Sequence, residues 1–544
     1  MAVKKYTVGG FPATKQQAES ITLGLTTDDL IIEAGAGTGK TTLLAALATE
    51  KKGRGLYITF NRAIADEAQK IFPSRKVRCR TAHSLAYGAV GKKYKSRLKK
   101  RLSGGMVAKH FDLEGSGGIS AFAMGNLAIL TVSRYCYSDS EGIEQNHIPK
   151  GDLAKIEDDL DRDAIIFDTM VNAKMLLADM NKARSKLPIT HDFYLKKWAL
   201  SEPDLGVDYI LMDESQDTND VLIDLLQKQD SQIIWVGDTH QSIYSWRGAV
   251  NAMEKIEVEH RASILQSFRF GPEIAAVANA VLEKHIETDM RLLGFDPIQS
   301  EITKLSHPDA IICRTNAEAM RYMIDAVDNN MKVTFSGGSV ELTKQISALR
   351  TLSKTGKTNH VDFAMFSDYK SFAGFAFSKD GSEFRPLVVM IKKYGFEYLL
   401  EILESIKHVT ESNADMIIST AHKAKGLEWN TVKLGSDFKA PGMKGYRKEE
   451  SNLLYVAVTR AKQALDITEC KAALMALGLA TDEAEAMEKQ VENENESETF
   501  TPMSKEEREL NGAIAEFKRL SSFLVSKGVD LDSLKKPVNL RKAA

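Results

Sequence analysis

The sequence predicts an α/β protein built on two parallel sheets, each interrupted by an insertion. Three observations predict it: two series of short apolar, β-branched runs, helix-forming stretches between the runs, and a glycine-rich loop joining one run to a helix. The first series is Leu30-Ile31-Ile32, Gly55-Leu56-Tyr57-Ile58-Thr59-Phe60, Tyr209-Ile210-Leu211-Met212 and Ile233-Ile234-Trp235-Val236. Runs that are apolar throughout and bounded by turn or glycine signals suit strands covered on both faces. The second series begins near residue 264 with Ile264-Leu265. It continues through Ala310-Ile311-Ile312, Val333-Thr334-Phe335, Met416-Ile417-Ile418 and Ala464-Leu465-Asp466-Ile467.

From about residue 91 to 200 the chain is charged and helix-like with little strand character, which marks an insertion; a smaller one, 341–410, interrupts the second series. Residues 482–498 carry eight acids against one Lys, a composition that cannot bury enough apolar surface to order itself and reads as a solvated linker. Ser504-Lys505-Glu506-Glu507 then has the form of a capping box ahead of an apolar-periodic run, which predicts a terminal helix. The expected organisation is 1–90 plus 201–265 as the first sheet domain, 91–200 as a mainly helical insertion, and 266–340 plus 411–475 as the second sheet domain. Residues 341–410 form the small insertion, and 476–544 the acidic linker and C-terminal helix.

Composition narrows the class. The 544 residues, 43% hydrophobic and 27% charged, suit three or four globular domains of about 150 residues each rather than a disordered or fibrous chain. The amino terminus lacks a long apolar stretch and no apolar run reaches about 18 residues, so neither secretion nor membrane spanning is expected and the expected location is cytoplasmic. Cys79, Cys136, Cys313 and Cys470 form no C-x-x-C pair and are expected to be reduced and structural. With a formal net charge of -2, any nucleic-acid binding has to come from local patches and stacking surfaces.

Glu33-Ala34-Gly35-Ala36-Gly37-Thr38-Gly39-Lys40-Thr41-Thr42 follows a buried-strand run and precedes the helical Leu43-Leu44-Ala45-Ala46-Leu47. Backbone N–H groups of such a loop cradle phosphates at a helix amino terminus, where the helix dipole also favours anions. Lys40 is placed to reach the β- and γ-phosphates, and Thr41 to hold magnesium. Hydrolysis further needs carboxylates at the end of another strand. Tyr209-Ile210-Leu211-Met212 runs into Asp213-Glu214-Ser215-Gln216-Asp217, at the edge where open α/β sheets bind ligands. Asp213 is read as a magnesium ligand and Glu214 as the group that polarises the attacking water.

Further segments follow in order. They are Gln17 in Thr14-Lys15-Gln16-Gln17-Ala18-Glu19, Thr59-Phe60-Asn61-Arg62, Thr81-Ala82-His83-Ser84, and Val236-Gly237-Asp238-Thr239-His240-Gln241-Ser242-Ile243-Tyr244-Ser245-Trp246-Arg247-Gly248-Ala249. Gln266-Ser267-Phe268-Arg269, Thr420-Ala421-His422-Lys423-Ala424-Lys425-Gly426-Leu427-Glu428-Trp429 and Leu454-Tyr455-Val456-Ala457-Val458-Thr459-Arg460-Ala461 complete them. Over about residues 12–470 this series resembles the ordered motifs of superfamily 1A helicases of the UvrD/Rep kind. Phe268 stands where that family usually has Tyr, which keeps the ring face and removes the hydroxyl. The segment from Ile418 to Val432, with Asp437-Phe438, resembles the F-box DNA helicase 1 group in particular. No F-box is recognisable ahead of Gln17, so ubiquitin-ligase function is not expected, and a microbial or phage relative without that module is.

The resemblance implies two RecA-like P-loop domains, with ATP and Mg2+ as cofactors. Gln17 and Phe268 would meet the adenine, Glu428 the ribose, and Gln241, Arg269 and Arg460 the γ-phosphate; the phosphate cradle is Gly35, Ala36, Gly37, Thr38, Gly39, Lys40, Thr41 and Thr42. An arginine reaching across a cleft in this way is worth about 10³ to 10⁵ in rate. The same resemblance implies single-stranded DNA and single/double-strand junctions as partners, gripped by Phe60, Asn61, His83, Tyr244, Trp246, Thr420 and His422. For Tyr244 a core position is an equal reading. A 3′ to 5′ helicase, a translocase that displaces recombination proteins, and a nucleotide-gated switch all stay open here. The switch is disfavoured by the full set of Glu214, Gln241, Arg269 and Arg460. Replication or recombination proteins are expected to be met, if at all, through the C-terminal tail, which equally could dock on the body.

Lys92-Lys93-Tyr94-Lys95-Ser96-Arg97-Leu98-Lys99-Lys100-Arg101 sets seven positive charges in ten residues, either a duplex-backbone patch or a solvated helix face. If it is a patch, reversing the charges of Lys99, Lys100 and Arg101 flattens the salt dependence of DNA binding; an unchanged slope in a salt titration removes it from the mechanism.

Overall fold

Strands that are apolar on both faces leave none for water, so they sit inside a layered sheet. The computed structural model describes residues 5–99, 101–117, 119–149, 158–244, 248–358, 360, 362–363, 366–377 and 384–479. After a short antiparallel pair, β1 (Thr7–Val8) and β2 (Phe11–Pro12), come β3 (Leu30–Ala34), β4 (Gly55–Ile58), β5 (Val77–Arg80), β6 (Tyr209–Met212), β7 (Gln232–Gly237) and β8 (His260–Ile264). These six form one parallel sheet in the order β5-β4-β6-β7-β3-β8. Its register sets Ile58 beside Met212, Met212 beside Trp235, and Glu33 beside Gly237. The segments that follow β3, β4, β6 and β7 therefore emerge along one edge.

The sheet corrects one boundary of the sequence reading. Ile264, taken there to open the second series, ends β8, which pairs with β3 from His260 opposite Leu30 to Ile264 opposite Ala34. As an edge strand β8 buries only its last residue fully, so its polar part carried no apolar signal. β5 escaped notice for the same reason, since its buried and exposed residues alternate.

The chain divides into two compact units. The first comprises Met1–Ser306, Ala424–Leu434 and Phe438–Leu479, and the described part of the second is His307–Lys423 with Gly435–Asp437. Strands β9 (Glu301–Ile302), β10 (Ala310–Cys313), β11 (Val333–Phe335), β12 (Met416–Thr420), β13 (Trp429–Leu434) and β14 (Ala461–Asp466) make the second parallel sheet. In the second unit β12 pairs with β10 and β11. In the first, β14 pairs with β13 and β9, with an irregularity between Trp429 and Thr431. Asp437 fixes the turn after β10 by accepting from the Arg314 and Thr315 backbone N–H groups at 2.8 and 2.7 Å. The smaller insertion is helical over Val340–Thr355, Tyr369–Phe377, Arg385–Tyr394 and Phe396–Ser405. Phe363, Phe372 and Phe384 meet edge to face inside it at 4.9 to 5.7 Å. The acidic linker and terminal helix expected after residue 476 lie almost wholly outside the described residues, in which no helix is long and apolar enough to cross a membrane.

The larger insertion is mainly helical: α5 (Gly104–Phe111), α6 (Ala121–Tyr137), and the helices Asp159–Asn181 and His191–Ala199. Its apolar stripes continue one core from the sheet, in which Leu56, Ile58, Ile210 and Met212 join Val132, Tyr135, Leu176, Phe193 and Trp198. Within the basic cluster, Lys92, Lys93, Lys95, Lys99 and Arg101 are exposed, whereas Tyr94 and Arg97 are buried. Arg97 donates to the Leu187 carbonyl at 2.8 Å and to Asp179 Oδ2 at 3.0 Å. It belongs to the core, not to a basic patch. Removing one partner of a buried, hydrogen-bonded pair strands the other charge, so Arg97→Met should cost about 3–5 kcal/mol in chemical denaturation. The neighbouring exposed Lys95→Met should stay within about 0.5 kcal/mol.

Candidate active site

The loop after β3 turns back into α2 (Lys40–Glu50) through Gly37 and Gly39, both left-handed at φ 74° and 77°, where a side chain is penalised. Space excludes one at Gly37 as well: a β-carbon there would lie 2.5 Å from Ser267 Oγ. Thr38 Oγ1 donates to the Gly35 carbonyl at 2.9 Å, and the Gly37 carbonyl accepts from Phe268 N–H at 2.8 Å. The first N–H groups of α2 have no partner within the helix, so this end attracts anions.

Asp213 follows β6 and is buried. Its Oδ2 accepts from Thr41 Oγ1 at 3.0 Å and from the Tyr57 hydroxyl at 2.6 Å. A hard divalent cation takes oxygen ligands, and the touching Thr41 and Asp213 oxygens beside the phosphate loop are a donor set of that kind. Glu214 adopts φ 56°, a left-handed conformation costing of order 1–2 kcal/mol in a non-glycine residue. Its Oε2 accepts from the Gln216 amide. Burial, and then the Glu214 charge, push the Asp213 carboxyl up. Burial also opposes ionisation of Glu214, but Lys40, Lys425, the Gln216 amide and Arg460 outweigh it and hold that carboxyl down.

The segment after β7 completes the edge. Asp238 accepts from Gln241 Nε2 at 2.7 Å and from the Tyr455 hydroxyl at 3.1 Å. Gln241 Oε1 accepts in turn from Arg460 Nη2 at 3.3 Å. Arg460 is buried and also donates to the Val456 carbonyl at 2.8 Å; burial, and then the Arg269 charge, lower its pKa. Arg269 donates to Glu428 Oε2 at 2.7 Å and to the Thr459 carbonyl at 3.0 Å. Gly37, Gly39, Phe268, Arg269 and Glu428 line one cavity of about 450 Å³, a fitting size for a nucleotide. All these residues belong to the first unit. Gln17 is buried in α1 (Lys15–Thr26), where its Oε1 accepts from Thr14 N–H at 3.0 Å in a capping box, so the carbonyl side of its amide is already engaged.

Of the residues expected to grip DNA, Phe60 is exposed after β4, and its ring lies nearly parallel to that of Tyr244, with centroids 6.1 Å apart. Asn61 caps α3 (Arg62–Ile71) by accepting from Ala63 N–H at 2.8 Å. His83 Nε2 is 3.1 Å from Asp192 Oδ1. Thr420 ends β12 in the second unit, followed by His422. Trp246 lies outside the described residues.

Sequence reasoning missed several members of this edge. Tyr57 read as one more apolar strand residue, Tyr455 as part of a motif with no role of its own, and Glu33 as the start of the loop. Glu33 instead receives the Thr239 N–H and hydroxyl, each at 2.8 Å, tying β3 to the segment that holds Asp238 and Gln241. Burial, then Asp238, raises its pKa from 4.5 to about 7. The folded state thus keeps a proton that the unfolded chain releases, so stability falls as pH rises from 4.5 to about 7. The loss is on the order of 3 kcal/mol. Glu33→Gln should abolish it, so the variant gains on wild type when urea denaturation is compared at about pH 5 and about pH 8.

The family description "UvrD/REP helicase N-terminal domain" matches residues 13–258, and "UvrD-like helicase C-terminal domain" matches residues 314–472. The chain is 33% identical to F-box DNA helicase 1 of Gallus gallus over 82% of its own length and 48% of that protein. It is 29% identical to F-box DNA helicase protein 1 of Schizosaccharomyces pombe over 82% of its own length and 56% of that protein. A probable DNA helicase II homolog of Mycoplasma genitalium is 26% identical over 61% of this chain. The chain therefore spans about half the length of these two curated F-box helicase relatives. Two parallel sheets, a phosphate loop and carboxylates at one sheet edge, and matches to both helicase domains make this chain a member of the UvrD/Rep-like helicase family.

Proposed function

We propose that this chain is an ATP-dependent DNA helicase that moves 3′ to 5′ on single-stranded DNA and couples hydrolysis to strand separation. One observation carries the reading: half-buried Glu214, suited to polarise water, is held ionised by Lys40, Lys425 and Arg460, while Gln241 joins Asp238 to Arg460. A module that only bound nucleotide would have no use for a water-polarising carboxylate wired to a phosphate-sensing side chain.

In this reading ATP occupies the cavity beside Gly37 and Gly39, with its phosphates on the Gly35-to-Thr42 loop and on Lys40. Thr41 and Asp213 hold magnesium, which supplies charge neutralisation for the phosphates. Gln17 and Phe268 meet the adenine. The nucleotide exchanges the Arg269–Glu428 ion pair for a ribose contact from Glu428 and a γ-phosphate contact from Arg269, beside Arg460. Two RecA-like domains, residues 1–90 plus 201–265 and 266–340 plus 411–475, close on ATP and reopen after hydrolysis. Phe60, Asn61, His83, Tyr244, Trp246, Thr420 and His422 grip the strand, since stacking on aromatics ignores sequence and is worth about 1–3 kcal/mol per base. The substrates are single strands and single/double-strand junctions in the cytoplasm of a microbial or phage-infected cell, with replication or recombination proteins met through residues 476–544.

ATP hydrolysis measured with and without a single-stranded oligonucleotide tests the reading. Wild type should be strongly stimulated, and Glu214→Gln should lose about 10² to 10⁴ of the stimulated rate. On tailed duplexes, unwinding should require a 3′ tail. Hydrolysis indifferent to DNA would sink the proposal.

A further inference from the structure

Lys425 stands in the loop before β13, with its side chain only 8% exposed. An ammonium carries three donors and no acceptor, and here its neighbours come from two segments, the turn after β6 and the stretch after β7. It donates to Asp217 Oδ2 at 2.5 Å and to the Gln241 carbonyl at 2.6 Å, and it lies 5.2 Å from the centroid of the Tyr244 ring. Each of the three neighbours has a separate role in the proposed function. Asp217 shares the turn of Glu214, whose carbonyl accepts from Asp217 N–H at 2.9 Å. Gln241 is joined to Arg460 and Asp238. Tyr244 lies nearly parallel to exposed Phe60. A small cavity of about 30 Å³ connects the same regions: Phe60 and His83 line it together with Glu214, Asp217, Thr218 and Asn219.

We propose that Lys425 is a positioning residue that couples a DNA base at the Phe60–Tyr244 pair to the placement of Glu214 and Gln241. A buried cation cannot slide far from Asp217 without leaving a carboxylate unpaired. A base stacking on these rings changes the face that Tyr244 presents to the ammonium. Lys425 takes up that change by shifting between the ring, the Asp217 turn and the Gln241 carbonyl, which moves the two groups that act on the attacking water and the γ-phosphate. DNA binding then raises turnover without touching the nucleotide.

The inference rests on the proposed function, and the same assay separates their failures. ATPase is measured against increasing oligo(dT) for wild type, Asp217→Asn, and the double variant Asp217→Asn with Lys425→Met, which leaves no buried charge unpaired. The double variant should bind oligo(dT) with a half-saturating concentration within about threefold of wild type, yet lose at least about tenfold of its maximal stimulation, a split that simple loss of DNA affinity would not give. Asp217→Asn, which keeps the cation at Gln241 and Tyr244, should retain more than half of the stimulation. Three outcomes overturn the coupling role: full stimulation in the double variant, a defect removed by raising oligo(dT), or an equal loss in Asp217→Asn alone. Should the double variant fail to fold, Tyr244→Leu decides, since a maximal stimulation equal to wild type at saturating oligo(dT) also overturns it. A wild type that oligo(dT) does not stimulate refutes the helicase reading instead.

Discussion

The arrangement of the first unit depends on one constraint, the parallel register of β4, β6, β7 and β3. Parallel strands all finish along the same edge, where connecting loops are free to differ. Because Ile58, Met212 and Trp235 lie side by side across β4, β6 and β7, the residues just beyond them meet although far apart in sequence. The contact of Thr41 with Asp213 and that of Tyr57 with Asp213 are direct results. The left-handed backbone at Gly37 and Glu214 lies along the same edge.

That edge concentrates charge where water is scarce. Asp213, Asp217, Asp238 and Arg460 are all buried. An isolated charge at such a depth would neutralise, so the groups persist as a mutually compensating network. Compensation is uneven, and the unevenness is chemically useful. Asp213 and Glu214 are adjacent, yet burial and repulsion raise the first while nearby cations hold the second ionised. Asp217, desolvated but paired with Lys425, settles at about 6. Groups sharing one low-dielectric pocket cannot be altered singly without shifting the rest, which is how such a site can respond to events at its rim.

The helical insertion supports this edge from one face. Its helices share an apolar core with the strands that carry Phe60 and Asp213, through Ile58, Met212, Val132 and Phe193. His83, at the start of α4 (Ala82–Ala89), meets Asp192 of the helix His191–Ala199. The insertion is therefore packed onto the segment expected to touch DNA through a shared core, beside a smaller cluster of its own at Met124, Leu127, Ile148 and Ile165.

Read by itself, the sequence determined the interior strand runs of the first sheet, the glycine loop, the Asp213-Glu214 pair and the family, but not the half-exposed β13 inside the second sheet. Each of these is local: an unbroken apolar run, a glycine required at positive φ, or a contiguous motif. Edge strands β5 and β8 were not legible, because a half-exposed strand lacks an unbroken apolar run. Arg97 counted as one more surface cation until the fold surrounded it with the carbonyls of Leu187 and Asp179. Glu33, Tyr57, Tyr455 and Lys425 gained their roles only in three dimensions, since their partners lie 206, 156, 217 and 208 residues away in sequence. Composition and periodicity record whether a residue is buried, whereas the partner of a buried charge is set by sheet register, and register is a property of the folded chain.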